Sequence, residues 1–271
     1  MGEDGGKSAR LDCSSLWDCC DAIYCLTLRT RPERRLAAHI QFATAGLSSR
    51  ITFLEQEPDV EDGKRGCFHA HQQAARLALE AGAKRVLIFE DDVEFLPHFS
   101  SHAAACAAAF LRNEPAQQAG LLVLREASDE TSAQPLSAAP WSIFFLGHFP
   151  RKMELTANTH IVRVRSMDGH AYVLSPAGMR ELCALSYAGD QVDVHYHYQS
   201  ENAYALYPMI AVQTPGPSDT EGLDRPEDWN DAKLKRERDL YDGCVRRKAL
   251  AAAMAINGLP SGLLIPPPSK V

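Results

Sequence analysis

The chain has no apolar run long enough to cross a bilayer. Its longest, Ala249 to Ile256, falls well short of the ~20 residues a membrane helix needs. Residues 1–20 are polar and acidic without a signal-type apolar stretch, so the expectation is a cytoplasmic chain with no membrane span. The eight cysteines contain no CxxC pair and no Cys/His spacing of a zinc module,. Neither GxGxxG nor GxxxxGK followed by Ser or Thr occurs, which removes the common glycine-loop nucleotide sites. There is no concentrated basic footprint, and the formal net charge is −7. That argues against a nucleic-acid partner. Anionic substrates stay open, because a bound metal supplies positive charge locally. No internal repeat is visible.

What remains is an ordinary globular composition over 271 residues, enough for one large domain or one domain with extensions. Cys25 sits in a strand-like run and Cys106 in an Ala-rich helix. Buried free thiols are therefore expected, as in a reducing compartment.

Read along the chain, residues 1–20 are a flexible tail. Ala22 to Leu28 is a buried strand, and Pro32 opens a helix with Leu36, Ala37, Ile40 and Ala43 at helical spacing. Ile51 to Leu54 is a second strand. Cys67 to Leu79 is a helix closed by Gly82. Arg85 to Phe89 is the clearest strand and runs directly into Glu90-Asp91-Asp92. A helix follows from Pro97 to about Leu111, then a strand at Gly120 to Leu124 and a loop over residues 125–140. Such alternation predicts an α/β sheet with parallel strands. Shorter strands are expected at Ile143–Gly147, Ile161–Val164 and Ala171–Leu174, and a helix capped by Ser175 over Pro176–Ser186. Ala203 to Ala211 is extended. A long charged helix runs from Asp228 to Asn257, with Gly243 a candidate break. The expected division is tail 1–20, domain 21–227, helical segment 228–258 and Pro-rich tail 259–271.

Three carboxylates directly after an apolar strand stand where open α/β sheets bind ligands, outside the carboxyl ends of strands. Adjacent negative charges repel, and a divalent cation with oxygen ligands resolves the repulsion. On an extended chain Glu90 and Asp92 share a face and form the better ligand pair, with Asp91 opposite. A solvated acidic turn at a helix N-terminus is the competing reading.

Arg29, Arg31 and Arg34 follow the first strand and suit phosphate or base contacts, or else form a solvated basic turn. His71 is either a polar contact near the nucleotide or a core histidine. In Asp193-Val194-His195-Tyr196-His197, alternate residues of an extended chain share a face. Asp193 is the candidate general base and His195 a candidate metal ligand, against the reading of an exposed loop. Asp219 follows a Pro-Gly-Pro turn and caps it or contacts substrate. The run from Lys233 to Arg238 reads as a solvated helix face.

Several blocks, in order, resemble glycosyltransferase family 25, the lipopolysaccharide and collagen galactosyltransferase family. They are Leu26-Thr27-Leu28 with Arg29, Arg31, Glu33 and Arg34; Gly66-Cys67-Phe68-His69-Ala70-His71; Ile88 to Val93; Trp141 to Gly147; Gly169 to Ser175; Val192-Asp193; and Tyr207-Pro208 with Gln213 and Ser218-Asp219. They span residues 22 to 220. Ala70 stands where the family usually has Ser.

The resemblance implies a GT-A type α/β fold, a mixed, mostly parallel sheet flanked by helices. It implies a hexosyltransferase moving a sugar, galactose favoured, from a UDP-sugar to a hydroxyl of a glycan or protein-linked acceptor with inversion. Leu26, Thr27, Arg29, Arg34, His71 and Asp91 would contact the nucleotide-sugar. Glu90, Asp92 and His195 would hold Mn²⁺ or Mg²⁺, and Asp193 would act as base. A catalytically inactive relative and another metal-dependent phosphoryl-group enzyme are the rival readings.

Overall fold

In the computed structural model, Ala22–Leu28 forms β1, a strand with no exposed residue, of the kind expected where helices cover both faces of a sheet. The described residues are 14–97, 100–112, 141–220, 222 and 224–256. Ahead of β1, the short helix α1 (Ser14–Trp17) buries Leu16 and Trp17. The Trp17 ring packs against Phe89 and Phe95, and its Nε1 donates to Ala45 O at 2.9 Å. Part of the tail expected over residues 1–20 thus joins the core from Leu16 onward, because Leu16 and Trp17 outweigh the polar residues around them.

Helix α2 (Pro32–Thr44) begins with Pro at its first turn. Its buried side chains are Ala38 and Phe42. Leu36 and Ile40, part of the stripe read from the sequence, are exposed. Both sets have helical spacing, and Phe42 packs between Phe53, Phe89 and Phe95. Strand β2 (Thr52–Gln56) pairs parallel with β1. Asp62 caps helix α3 (Gly63–Glu80), accepting from Lys64 N and Arg65 N at 3.1 and 3.3 Å. Gly46 and Gly82, with φ of 74° and 73°, close α2 and α3 in the left-handed region that favours glycine,.

Strand β3 (Val86–Glu90) pairs parallel with β1, Leu26 opposite Glu90. Its alternation feeds two cores: Leu87 and Phe89 join α1, α2 and α4, while Val86 and Ile88 join α3,. Each such fully buried side chain contributes about 1.5–3 kcal/mol. After the short β4 (Val93–Phe95), helix α4 spans Ser101–Leu111 and starts later than the expected Pro97. The strand and loop expected over 120–140 lie outside the described residues.

The three short strands expected after residue 140 are two long ones. β5 (Ile143–Leu155) and β6 (Ile161–Leu174) form an antiparallel hairpin with register shifts between Phe145 and Lys152. Its far half carries Arg151, Lys152, Glu154, Arg163 and Arg165, charges that interrupt the apolar pattern without interrupting the ladder. Helix α5 is Pro176–Ala184, with Ser175 Oγ accepting from Gly178 N at 3.2 Å. A π-helical turn covers Asp193–His197. Strand β7 (Ala203–Leu206) pairs parallel with β5, and β8 (Ala211–Gln213) antiparallel with β4. β9 (Gly216–Pro217) and β10 (Asp224–Arg225) form a small ribbon. Helix α6 (Trp229–Ile256) runs unbroken through Gly243.

The main sheet has order β2-β1-β3-β6-β5-β7. Only β6 opposes the common direction. This is the mixed, mostly parallel sheet flanked by helices that the resemblance implies. Its carboxyl edge at β1 and β3 carries the acidic cluster. The seven described cysteines are free.

Candidate active site

β3 ends at Glu90, and the chain turns at Asp91 and Asp92. Strand alternation therefore stops governing the cluster, and each carboxylate finds partners of its own. Glu90 Oε2 accepts from Gln213 Nε2 at 3.3 Å, and Oε1 lies 3.4 Å from His71 Nε2. Asp91 Oδ2 accepts from Thr27 Oγ1 at 2.7 Å, and Arg34 Nη1 lies 3.5 Å from Oδ1. Burial pushes the Asp91 carboxyl up to about 6; the Thr27 bond opposes this and the Asp92 charge adds to it. Asp92 Oδ2 accepts from Arg225 Nη1 at 2.6 Å, while Oδ1 is buried without a hydrogen-bond partner.

Two cavities meet here. One, of about 240 Å³, is lined by Leu26, Thr27, Arg34, His71 and all three carboxylates. The other, of about 320 Å³, is lined by Asp193, Asp168, Phe149, Trp229 and Gln213. Cys67, Glu90, Thr220 and Arg225 line both.

Asp193 sits at the start of the π-helical turn and accepts from Asp168 N at 3.1 Å and Val194 N at 2.9 Å. Burial raises its carboxyl to about 6; the bond from Asp168 N opposes the rise and the charges of Asp168 and Glu90 add to it. On this turn, unlike on a strand, residues two apart diverge. His195 packs against the Phe68 ring, lines neither cavity and is not brought to the cluster. His197 is fully buried, and a Cβ on Gly169 would lie 1.9 Å from its Cε1. Burial drives its imidazole well below the usual range, so it is neutral.

Arg29 is also not brought in. It pairs on the surface with Glu55 and Glu57 at 3.6 and 3.1 Å. Asp219 ties Arg31 and Arg34 together at 3.0 and 3.2 Å.

Three participants were missed in the sequence. Lys233 lies in a run read as solvated, yet it is fully buried, with Nζ 2.9 Å from Asp168 Oδ2 and 2.8 Å from Gln213 Oε1. Glu237, one turn on, is buried and accepts from Met209 N at 3.0 Å. The signal was there: Lys233 and Glu237 share a helix face at i,i+4 spacing. Arg225 had none, since a lone Arg in a turn-rich segment reads as solvent-exposed. Through Lys233 a chain of contacts runs from Glu90 by way of Gln213 and Asp168 to Asp193.

The donor set fits a hard divalent cation. Asp92 Oδ1 is an orphaned buried oxygen, Glu90 supplies another, and Mg²⁺ or Mn²⁺ takes such carboxylate oxygens.

An α/β sheet with paired cavities around a carboxylate-tipped strand is the frame of a glycosyltransferase domain. Residues 41–195 match the model of glycosyltransferase family 25 (LPS biosynthesis protein), more than half of the chain, and the chain belongs to that family. Two curated relatives are both named probable inactive glycosyltransferase 25 family member 3. The one from Rattus norvegicus is 22% identical and covers 78% of this chain and 42% of its own length. The one from Bos taurus is 25% identical, covering 78% and 40%. The chain thus spans about two fifths of these relatives. Solved structures with some likeness include mannose-1-phosphate geranyltransferase from Thermus thermophilus, at 12% identity and TM-score 0.37, covering 70% of this chain and 75% of that one. UDP-glucose pyrophosphorylase complexed with UDP-glucose reaches 6% identity and TM-score 0.41, covering 87% of each chain. Among the described residues no helix is long and apolar enough to cross a membrane.

Proposed function

We propose that the chain moves a hexose, galactose favoured, from a UDP-sugar to a hydroxyl of a glycan or glycosylated acceptor, with inversion and with Mn²⁺ or Mg²⁺. One observation carries the reading: two cavities share Glu90, one holding the carboxylate cluster and the other Asp193. The cavity at β1 takes the nucleotide. Thr27 and Arg34 hold Asp91 in place, and Arg34 and Arg225 offer guanidinium groups to phosphate oxygens. Glu90 and Asp92 Oδ1 hold the cation. When bound, it neutralises charge building on the departing diphosphate.

Asp193 takes the proton of the acceptor hydroxyl on the opposite side. Its fixed backbone bonds orient it, and its raised affinity for a proton suits a base working near neutral pH,. Phe149 and Trp229, stacked at 7° and 5.8 Å, give the acceptor cavity an aromatic wall.

A second reading, a domain that binds without catalysing, is favoured by the relatives' names and by the cation already on Asp92, Arg225. A panel of nucleotide-sugars with Mn²⁺, read as release of free nucleotide, separates the two. The transferase reading expects release from UDP-sugars, fastest from UDP-galactose. Release from none of them, with binding intact, supports the second reading instead.

A further inference from the structure

We infer that Cys67, His71 and Glu90 form a site for a borderline-soft divalent cation of the zinc class, overlapping the oxygen set of Glu90 and Asp92 at Glu90 alone. Helix α3 presents Cys67 and His71 one turn apart on one face, and β3 delivers Glu90 to the same point. One ligand atom from each of the three lies within 4.8 Å of the others, and among the described residues no other trio of His, Cys, Asp or Glu does so.

The imidazole carries the argument. His71 is fully buried, and its Nε2 has no hydrogen-bond partner. That nitrogen faces Glu90 Oε1 at 3.4 Å. The other ring nitrogen, Nδ1, is 2.7 Å from Tyr172 Oη, and the two rings stack at 17°. In the tautomer that donates from Nδ1–H to the phenol, Nε2 keeps a free lone pair and the ring's aim is fixed. Metal-binding histidines are held by an outer partner in this way.

The donor chemistry selects the ion. One sulfur, one nitrogen and one oxygen with a fourth position open is a zinc-type set, whereas Mg²⁺ wants oxygen alone. Coordination to a cation deprotonates a thiol outright. The S–H bond breaks, the proton leaves to solvent and the sulfur–metal bond forms. Cys67 and Glu90 line both cavities, so the ion has a path.

The site shares Glu90 with the donor reading but does not rest on it. The test is Co²⁺ titration of the metal-free full chain, followed in the near ultraviolet. The expected result is a thiolate-to-cobalt charge-transfer band that is lost in Cys67→Ser and Cys67→Ala. It persists in Asp92→Asn, the variant that tests the donor reading, so the two readings fail separately. X-ray absorption of the zinc-loaded wild type should show one sulfur at ~2.3 Å with nitrogen and oxygen neighbours. Zinc should also slow alkylation of wild-type Cys67 and leave Cys183, the other half-buried cysteine among the described residues, unchanged, a readout that needs no variant. A nitrogen- and oxygen-only shell with no band overturns the site. So does a band that survives Cys67→Ala, or alkylation of Cys67 that zinc does not slow.

Discussion

Arg225 Nη1 lies 2.6 Å from Asp92 Oδ2, while Asp92 Oδ1 stays buried and unpartnered. The last carboxylate of the cluster thus divides its oxygens between a protein cation and an open position. A resident guanidinium partly offsets the charge that would attract a metal. Arg225→Gln removes it. Without nucleotide, Mn²⁺ affinity should rise by at least about 1 kcal/mol, ~5-fold, since one like charge a few ångströms away costs about that much even at the dielectric of bulk water. Titration followed by manganese spin resonance reads this directly. Unchanged or weaker Mn²⁺ binding would show that the ion sits elsewhere.

Asp193 is the proposed base. Asp193→Asn keeps the size but cannot take a proton, and its single amide oxygen can accept only one of the two backbone bonds,. Turnover should fall by ~10²–10⁴-fold, with UDP affinity unchanged because Asp193 lines only the other cavity. Equal losses in turnover and UDP binding would make it a structural residue.

The same carboxyl fixes a pH profile. Its proton affinity is raised to about 6 by burial, so the base is charged above that pH and neutral below it. The rate at low substrate should be flat above about 6 and fall about tenfold per unit below it. The limb should vanish in the residual activity of Asp193→Asn. A limb near 4, the ordinary carboxylate value, contradicts the assignment.

The central strand and its carboxylates were readable because an apolar run ends abruptly in acid. Gly82 as a stop and Asp193 as a group worth watching were readable for equally local reasons. The rest depends on distant partners. His195 and His197 alternate in sequence as a strand would, but the chain coils into a π-helical turn that aims only Asp193 at the cavity. Lys233 looks like one more surface charge until Asp168 and Gln213 arrive from two other elements. The long hairpin hid behind its charged outer positions.

Burial of Lys233 has a measurable cost. Lys233→Met leaves Asp168 without its cation, and breaking such a buried pair costs about 3–5 kcal/mol. The melting temperature should drop by on the order of 10 °C. Adding Asp168→Asn should recover most of the loss. Simple additivity of the two changes would refute the pairing.

Glycine geometry offers a paired control. A Cβ on Gly169 would meet His197 at 1.9 Å, whereas on Gly243 the nearest atom is Arg247 Nη1 at 3.5 Å. Gly169→Ala should lose about 1–3 kcal/mol. Gly243→Ala, in mid-helix, should gain about 0.5–1 kcal/mol. Thermal melts of both variants check the packing around the π-helical turn.

The most direct test of the proposed role is calorimetry of UDP with and without Mn²⁺, on the wild type and on Asp92→Asn. The account predicts tight UDP binding only with Mn²⁺, weakened at least ~10-fold in Asp92→Asn, about 1.4 kcal/mol or more. UDP binding that is equally strong without metal and in Asp92→Asn would contradict it.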